Sequence, residues 1–201
     1  MKRLSKLWNK IMKMNIVKLY LLALGFHLIW TFSIAIILYF SGAEFSQNVA
    51  DTSDFTSTLF LVPMCAMAEE MIFRWIPFLL LFTTIGLAVK YNKVDEESKA
   101  KMEKYGILAV VIVSSVIFGY VHGNVFNILI QGVSGVIFCA FYLRTLFKRR
   151  AAGKTAKYQV RPLLSSSLYH TLSNAILIAL WEKFYNNSIS KGWLFTNLFL
   201  K

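Results

Sequence analysis

Charged side chains are scarce in this chain of 201 residues, where Asp, Glu, Lys and Arg together make up only 16%. Soluble domains contain about 25% of these residues, so the shortfall argues against an ordinary soluble domain. Hydrophobic types contribute 57% of the chain, which excludes a disordered protein. The length is that of one domain, and we therefore predict a single transmembrane domain over residues 1–201.

Cysteine is also rare, and its two positions, Cys65 and Cys139, lie in apolar surroundings. The chain has no CxxC motif and no cluster of Cys with His, which excludes a disulfide framework and a zinc finger. We predict that both residues are buried free thiols. Internal repeats and low-complexity tracts are missing from the sequence as well, so no second domain is indicated.

Long apolar runs, in contrast, are abundant. A helix needs about 20 mostly apolar residues to cross a bilayer. Runs of roughly this length or longer occupy residues 19–40, 59–89, 105–121, 125–147 and 162–181. This pattern predicts an all-α, polytopic transmembrane helix bundle of about five to six spans. The tail, residues 182–201, is predicted to lie in the interface or to form a short last span.

Basic residues outnumber acidic ones and give a net charge of +12, but they are unevenly placed. Residues 1–18, 90–104 and 144–161 carry six, five and seven of the 22 Lys and Arg residues, whereas residues 41–58 carry none. Five spans would put the three basic segments on one side, which the positive-inside rule identifies as the cytoplasm. The anionic bilayer surface accounts for this charge, so we predict an integral membrane protein with a cytoplasmic N-terminus and no nucleic-acid partner.

Three ionisable residues interrupt the second apolar run: Glu69, Glu70 and Arg74. Each would cost about 2.5–3.5 kcal/mol at the centre of a membrane helix, so they must face other polar groups or water inside the bundle. Glu70 and Arg74 are four residues apart and can pair on one helical face. Glu69 is rotated from Glu70 by about 100° and can point elsewhere. The alternative interpretation is a salt-bridge cluster that only holds helices together.

Polar partners for these residues lie in two other runs. His122 ends the third run, and His170 and Asn174 share a helical face in the fifth. We predict that Glu69, His122, His170 and Asn174 converge on one partly water-filled internal cavity. His27 stands alone in the first run, where a hydrogen-bonded packing role is expected.

Such a set can hydrolyse an amide bond without a Ser or Cys nucleophile. A carboxylate and a histidine sharing one water act as base and proton shuttle, and His and Asn side chains suit a developing oxyanion. Two alternatives remain open at this point. One is a Ser–His pair formed by His170 with a residue of 165–167. The other is a zinc site formed by Glu69, His122 and His170, although the chain has no HExxH motif.

Three short motifs occur in order along the apolar runs. They are Glu69-Glu70-Met71-Ile72-Phe73-Arg74 (EExxxR), Phe118-Gly119-Tyr120-Val121-His122 (FxxxH) and His170-Thr171-Leu172-Ser173-Asn174 (HxxxN). Together they resemble the CAAX protease and bacteriocin-processing family (CPBP or Abi), which includes the type II CAAX prenyl endopeptidases. The resemblance covers about residues 59–181, and this chain looks like a short bacterial member.

The resemblance implies an intramembrane, metal-independent glutamate protease. Glu69 would activate water with help from His122, while His170 and Asn174 would form the oxyanion site. Glu70 and Arg74 would orient Glu69, Phe118 would pack, and Gly132 and Gly135 would let the fourth run pack closely.

The implied substrate is a peptide or a membrane-protein segment, and the implied role is peptide maturation or bacteriocin-related processing in a bacterial cell membrane. No cofactor is implied, and the sequence carries no signal for the oligomeric state. An alternative from another functional class is a non-enzymatic immunity or partner-binding membrane protein that keeps the polar residues for assembly.

Overall fold

The computed structural model describes residues 2–41, 55–91, 94–153 and 160–191, and within these ranges it is built from helices, with no strand. The predicted all-α class is confirmed. The helices are α1 (Lys2–Lys13), α2 (Ile16–Phe40), α3 (Phe55–Glu70), α4 (Ile76–Lys90), α5 (Glu96–Val121), α6 (Val133–Ala151) and α7 (Val160–Lys191). Two π-helical turns join them, the first at Met71–Trp75 and the second at Ile128–Gly132.

Five helical stretches in the described part of the chain are long and apolar enough to cross a membrane. They are Ile16–Leu38, Phe60–Lys90, Glu96–Val121, Ile128–Ala151 and Val160–Leu180, close to the five predicted runs. α7 continues past its apolar stretch to Lys191, so the first half of the predicted tail prolongs this helix. Residues 192–201 lie outside the described residues, as does most of the predicted loop 41–58.

α6 lies at the centre of the bundle, packed against α5 and α7. Its apolar stretch is 56% buried, compared with 11% for that of α2. Phe138, Phe141 and Tyr142 of α6 are each at most 2% exposed and carry much of the two hydrophobic core clusters. The outer helices instead present large apolar side chains outward, as expected for a bundle whose solvent is lipid.

This arrangement decides the state of the two cysteines, both of which are free. Cys139 of α6 is buried as predicted, but Cys65 of α3 is exposed, so the prediction of a buried thiol is wrong there. Apolar surroundings in sequence indicate burial in a soluble protein. In a membrane helix they equally describe the surface that faces lipid.

The first π turn separates α3 from α4, directly after Glu69 and Glu70. Pro77 follows it at the start of α4. Because proline has no N–H and its ring clashes with the carbonyl four residues earlier, Pro77 disturbs the regular ladder where Phe73 lies inside the π turn. Single π turns of this kind are frequent at functional sites.

α1 is an amphipathic helix with its apolar residues at positions 4, 7, 8, 11 and 12. Arg144 of α6 holds its carboxyl end, donating hydrogen bonds to the carbonyls of Ile11 (3.2 Å) and Met14 (2.6 Å). Trp8 packs edge-on against Phe147 of α6. A guanidinium at a helix C-terminus satisfies carbonyls that lack intrahelical donors, so Arg144 fixes α1 on the bundle.

α5 begins on the predicted cytoplasmic side of the membrane and ends next to His122, one of the predicted site residues. Asp95 caps its first turn by accepting a hydrogen bond from the backbone N–H of Ser98 at 2.6 Å, and this bond lowers the pKa of the carboxyl group. The basic residues Lys99, Lys101 and Lys104 lie near this end. The other end of α5 is capped by His122.

The orientation of the bundle is testable at two exposed positions, Ser41 at the end of α2 and Ala152 at the end of α6. In a variant without the native cysteines, Ser41→Cys should react with a membrane-impermeant maleimide added to intact cells, and Ala152→Cys should react only after lysis. The reason is the position of Ala152 beside the basic residues Lys148, Arg149 and Arg150. The reverse labelling pattern would contradict the predicted topology.

Candidate active site

Five of the six sequence-predicted site residues meet in one polar cluster, which comprises Glu69, Glu70, Arg74, His122 and His170. Three separate parts of the chain supply them: the junction of α3 with the first π turn, the end of α5, and the middle of α7. The sixth, Asn174, lies one turn after His170 on α7 and is half-buried.

Glu69 lies between the two histidines. Its Oε1 is 3.6 Å from Nε2 of His122, and its Oε2 is 3.5 Å from Nε2 of His170. These separations exceed the usual 2.7–3.2 Å of a direct N–H···O hydrogen bond. Polar groups at this spacing are commonly bridged by water, and catalytic hydrogen bonds are often long without substrate. The three groups can therefore share one water molecule.

The other ring nitrogen of each histidine is already engaged. Nδ1 of His122 lies 2.6 Å from the carbonyl oxygen of Phe118, and Nδ1 of His170 lies 3.1 Å from Oε1 of Glu70. Both acceptors can only accept, because one is a carbonyl and the other is a carboxylate paired with Arg74. Each Nδ1 therefore carries the hydrogen, which fixes both rings with Nε2 directed towards Glu69.

Glu70 and Arg74 form a fully buried ion pair, with Nη1 of Arg74 3.0 Å from Oε1 of Glu70 and both side chains 0% exposed. This is the pairing expected from their spacing. The guanidinium also lies over the rings of Phe118 (4.4 Å) and Phe138 (5.2 Å). Aromatic faces attract a cation most strongly when it is removed from water. The pair thus fixes Glu70 in place beside His170, whose Nδ1 lies 3.1 Å from Oε1 of Glu70.

Gly135 makes room for this guanidinium on α6. A Cβ at Gly135 would lie 3.0 Å from Nη2 of Arg74 and 3.1 Å from Oγ of Ser115. Close packing of α6 was predicted from its glycines. At Gly135 the missing side chain leaves the space that the Arg74 guanidinium occupies.

Gly119 brings α5 against the second π turn, three residues before His122. A Cβ there would lie 2.6 Å from Cα of Ile128 and 2.8 Å from the backbone nitrogen of Gly132. Gly119→Ala should lower the free energy of unfolding by about 1–3 kcal/mol, because backbone atoms cannot move aside as a side chain can. Thermal unfolding in detergent measures this loss. Gly86→Ala is the matched control, since no atom lies within 4 Å of its Cβ position, and equal effects of the two variants would contradict the prediction.

Two supporting residues were not found from the sequence. Asn127, fully buried before the second π turn, donates from Nδ2 to the backbone carbonyl of His122 at 2.6 Å. Ser134 of α6 is hydrogen-bonded to Nε2 of His27 at 2.6 Å, which gives His27 the packing role that was expected. Each is a polar residue within an apolar run, which is the sequence feature that could have indicated it. Neither belongs to one of the three motifs.

The structure bears on one serine of the Ser–His alternative. The Ser166 hydroxyl is hydrogen-bonded within its own helix, to the carbonyl oxygens of Pro162 and Leu163. In the part of the chain that the structure describes, no group of three or more His, Cys, Asp or Glu side chains is arranged to hold a metal ion.

Comparison with known proteins bears on this site. No curated protein and no solved structure matches the chain. Among protein families, the type II CAAX prenyl endopeptidase Rce1-like family matches residues 51–176, which is more than half of the chain and includes the whole polar cluster. The resemblance inferred from the three motifs is thus confirmed, and the chain belongs to the Rce1-like family of type II CAAX prenyl endopeptidases.

Proposed function

We propose that this protein is an intramembrane endopeptidase in which Glu69 activates water for attack on a peptide bond. The observation that carries the proposal is the position of Glu69 between the Nε2 atoms of His122 and His170, each directed by a bond at its Nδ1. A base within reach of a shared water, with proton carriers beside it, is the arrangement that general base catalysis requires.

The charges of the cluster support a single shared proton. Glu69 and Glu70 contribute two negative charges and Arg74 one positive charge, so one further proton makes this largely buried group neutral. Uncompensated charge is expensive away from water, which favours that count. With Nδ1 of His170 donating to Glu70, the proton on Nε2 makes His170 an imidazolium that can donate to an oxyanion.

The proposed reaction proceeds in two steps. Glu69 takes a proton from water as the water oxygen bonds to the carbonyl carbon, and the carbonyl electron pair moves onto oxygen. Nε2–H of His170 and the amide of Asn174 stabilise this oxyanion. The C–N bond then breaks, and the proton held by Glu69 passes through His122 to the leaving amine.

The proposed substrate is a peptide or a segment of a membrane protein, and the proposed role is peptide maturation or bacteriocin-related processing. We place the protein in a bacterial cell membrane with its N-terminus in the cytoplasm. The support is the family membership for peptide-bond cleavage and the distribution of basic residues for the orientation.

The direct test compares peptides from cells that produce the wild-type protein with those from cells that produce Glu69→Gln. Peptides that appear only with the wild type, with one shared type of cleaved bond, are the expected result. Identical peptide sets would contradict the endopeptidase and favour the immunity or partner-binding alternative.

Chelation tests the expectation that no metal takes part. We expect a strong chelator to leave peptide cleavage unchanged, because Glu69 and the histidines complete the acid–base chemistry without a Lewis acid. The measurement is the cleavage rate of the purified protein before and after dialysis against the chelator. Loss of activity that zinc restores would instead make Glu69, His122 and His170 metal ligands.

A further inference from the structure

A basic cleft lies where α1 turns into α2. It is open, has a volume of about 630 Å³, and is lined by Asn9, Lys10, Lys13, Met14, Asn15 and Lys18. Three of these six side chains are cations, two are amides, and none is acidic. The volume is in the range of sites for small molecules, and the lining suits an anion rich in oxygen acceptors.

Hydrogen bonds fix the shape of the turn between the two helices. The N–H of Met14 donates to the carbonyl of Lys10 at 3.1 Å, and the carbonyl of Met14 accepts from Arg144 of α6 at 2.6 Å. The side chain of Asn15 accepts from the backbone N–H of Val17 at 2.8 Å. The backbone that carries the basic cleft is therefore already ordered, so binding there costs little conformational entropy.

No ion pair neutralises the three lysines of the basic cleft in the part of the chain that the structure describes. Glu96, Glu97 and Glu103, by contrast, are each paired with a basic side chain elsewhere. The sequence also has no acidic residue in positions 1–43. An anion bound in the cleft would thus be attracted by three positive charges without displacing a carboxylate from them.

The basic cleft continues into an apolar strip on α2. The membrane-crossing stretch of α2 begins at Ile16, directly beside the cleft, which puts the cleft at the edge of the hydrocarbon core. Leu21 and Leu22 follow Lys18 by three and four residues and lie on the same helical face, where they are 65% and 53% exposed. A phospholipid has the same order of parts, with a phosphate at the surface and acyl chains below it. A soluble anion would leave the leucines uncovered.

We propose that the basic cleft binds the headgroup phosphate of an anionic phospholipid, whose acyl chains cover Leu21 and Leu22. The three ammonium groups and the two side-chain amides donate hydrogen bonds to the phosphate oxygens. Basic pockets on membrane proteins select anionic headgroups in this way. Because Arg144 holds the Met14 carbonyl at the back of the cleft, the lipid binds where α1, α2 and α6 meet.

Native mass spectrometry of the whole chain in a neutral detergent tests this binding. The probe is phosphatidylglycerol, and phosphatidylcholine with the same acyl chains is the neutral reference. We expect the wild type to retain phosphatidylglycerol in preference to phosphatidylcholine. The triple variant Lys10→Gln, Lys13→Gln, Lys18→Gln should bind phosphatidylglycerol about 100-fold more weakly, because each lysine beside an anionic headgroup contributes about a factor of five.

The matched control removes the same charge from three exposed lysines of α4 and α5, as Lys90→Gln, Lys101→Gln, Lys104→Gln, and should bind like the wild type. Equal retention of phosphatidylcholine by the wild type, or an equal loss in the control variant, would overturn the lipid site. Displacement of phosphatidylglycerol by millimolar inorganic phosphate would show instead that the cleft takes the free ion. Thermal unfolding without added lipid checks folding, and Lys13→Gln alone, expected to bind about fivefold more weakly, replaces a triple variant that does not fold.

Discussion

Replacing Glu69 with Gln is expected to lower the rate of peptide cleavage by about 10²–10⁴, the usual contribution of a general base. The amide keeps the size of the carboxylate but cannot take a proton from water between His122 and His170. Folding and membrane insertion should be unchanged, because Glu69 is partly exposed and lies outside the buried ion pair. The measurement is the cleavage rate per amount of folded, purified protein.

Two further variants make this result specific. Asn174→Ala should leave residual activity, because loss of one oxyanion donor costs about 10²–10³ in rate. Glu97→Gln is the same chemical change at an exposed position near the start of α5 and should have no effect. Wild-type activity of Glu69→Gln would remove the enzyme hypothesis and leave the partner-binding one.

Replacing Glu70 with Gln is expected to lower the free energy of unfolding by about 3–5 kcal/mol, since breaking a buried ion pair leaves the other charge uncompensated. Arg74 would keep its aromatic neighbours but lose the carboxylate 3.0 Å from its Nη1. Lower yield and a lower thermal unfolding temperature in detergent are the measurements. Stability equal to that of the wild type would show that Arg74 finds another counter-charge.

The double variant Glu70→Gln, Arg74→Met separates the two roles of this pair. Removing both charges should restore much of the lost stability, because neither partner remains buried without the other. Activity should stay low, because Nδ1 of His170 still lacks the carboxylate that directs its ring. A stable and fully active double variant would show that the ion pair has no role in orienting His170 and contributes only to packing.

The features that depend on composition or local spacing were predictable from the sequence. Five spans followed from hydropathy, and the Glu70–Arg74 pair followed from a separation of four residues. The cluster itself was predictable because an ionisable side chain inside the membrane is costly unless it contacts other polar groups or water. None of these inferences required knowledge of how the helices pack.

The features that depend on packing were not predictable. Glu70 contacts His170. The sequence resemblance had implied that Glu70 orients Glu69 instead. The position at which α7 crosses α3 determines this contact. The hydrogen bond from Asn127 to the carbonyl of His122 depends on the second π turn, and no sequence pattern predicts that turn. Cys65 was misjudged because hydropathy does not distinguish the core of the bundle from its lipid-facing surface.

The first π turn also determines which changes of chain length the site can accept. A π turn holds one residue more than an α turn over nearly the same rise, so it acts as a one-residue insertion in a continuous helix. Deleting one residue within 71–73 would restore regular α-helix and rotate α3 by about 100° against α4. Glu69 and Glu70 would then leave the histidines while every motif residue was still present. The spacing between Glu69 and Pro77 therefore cannot change without altering the site.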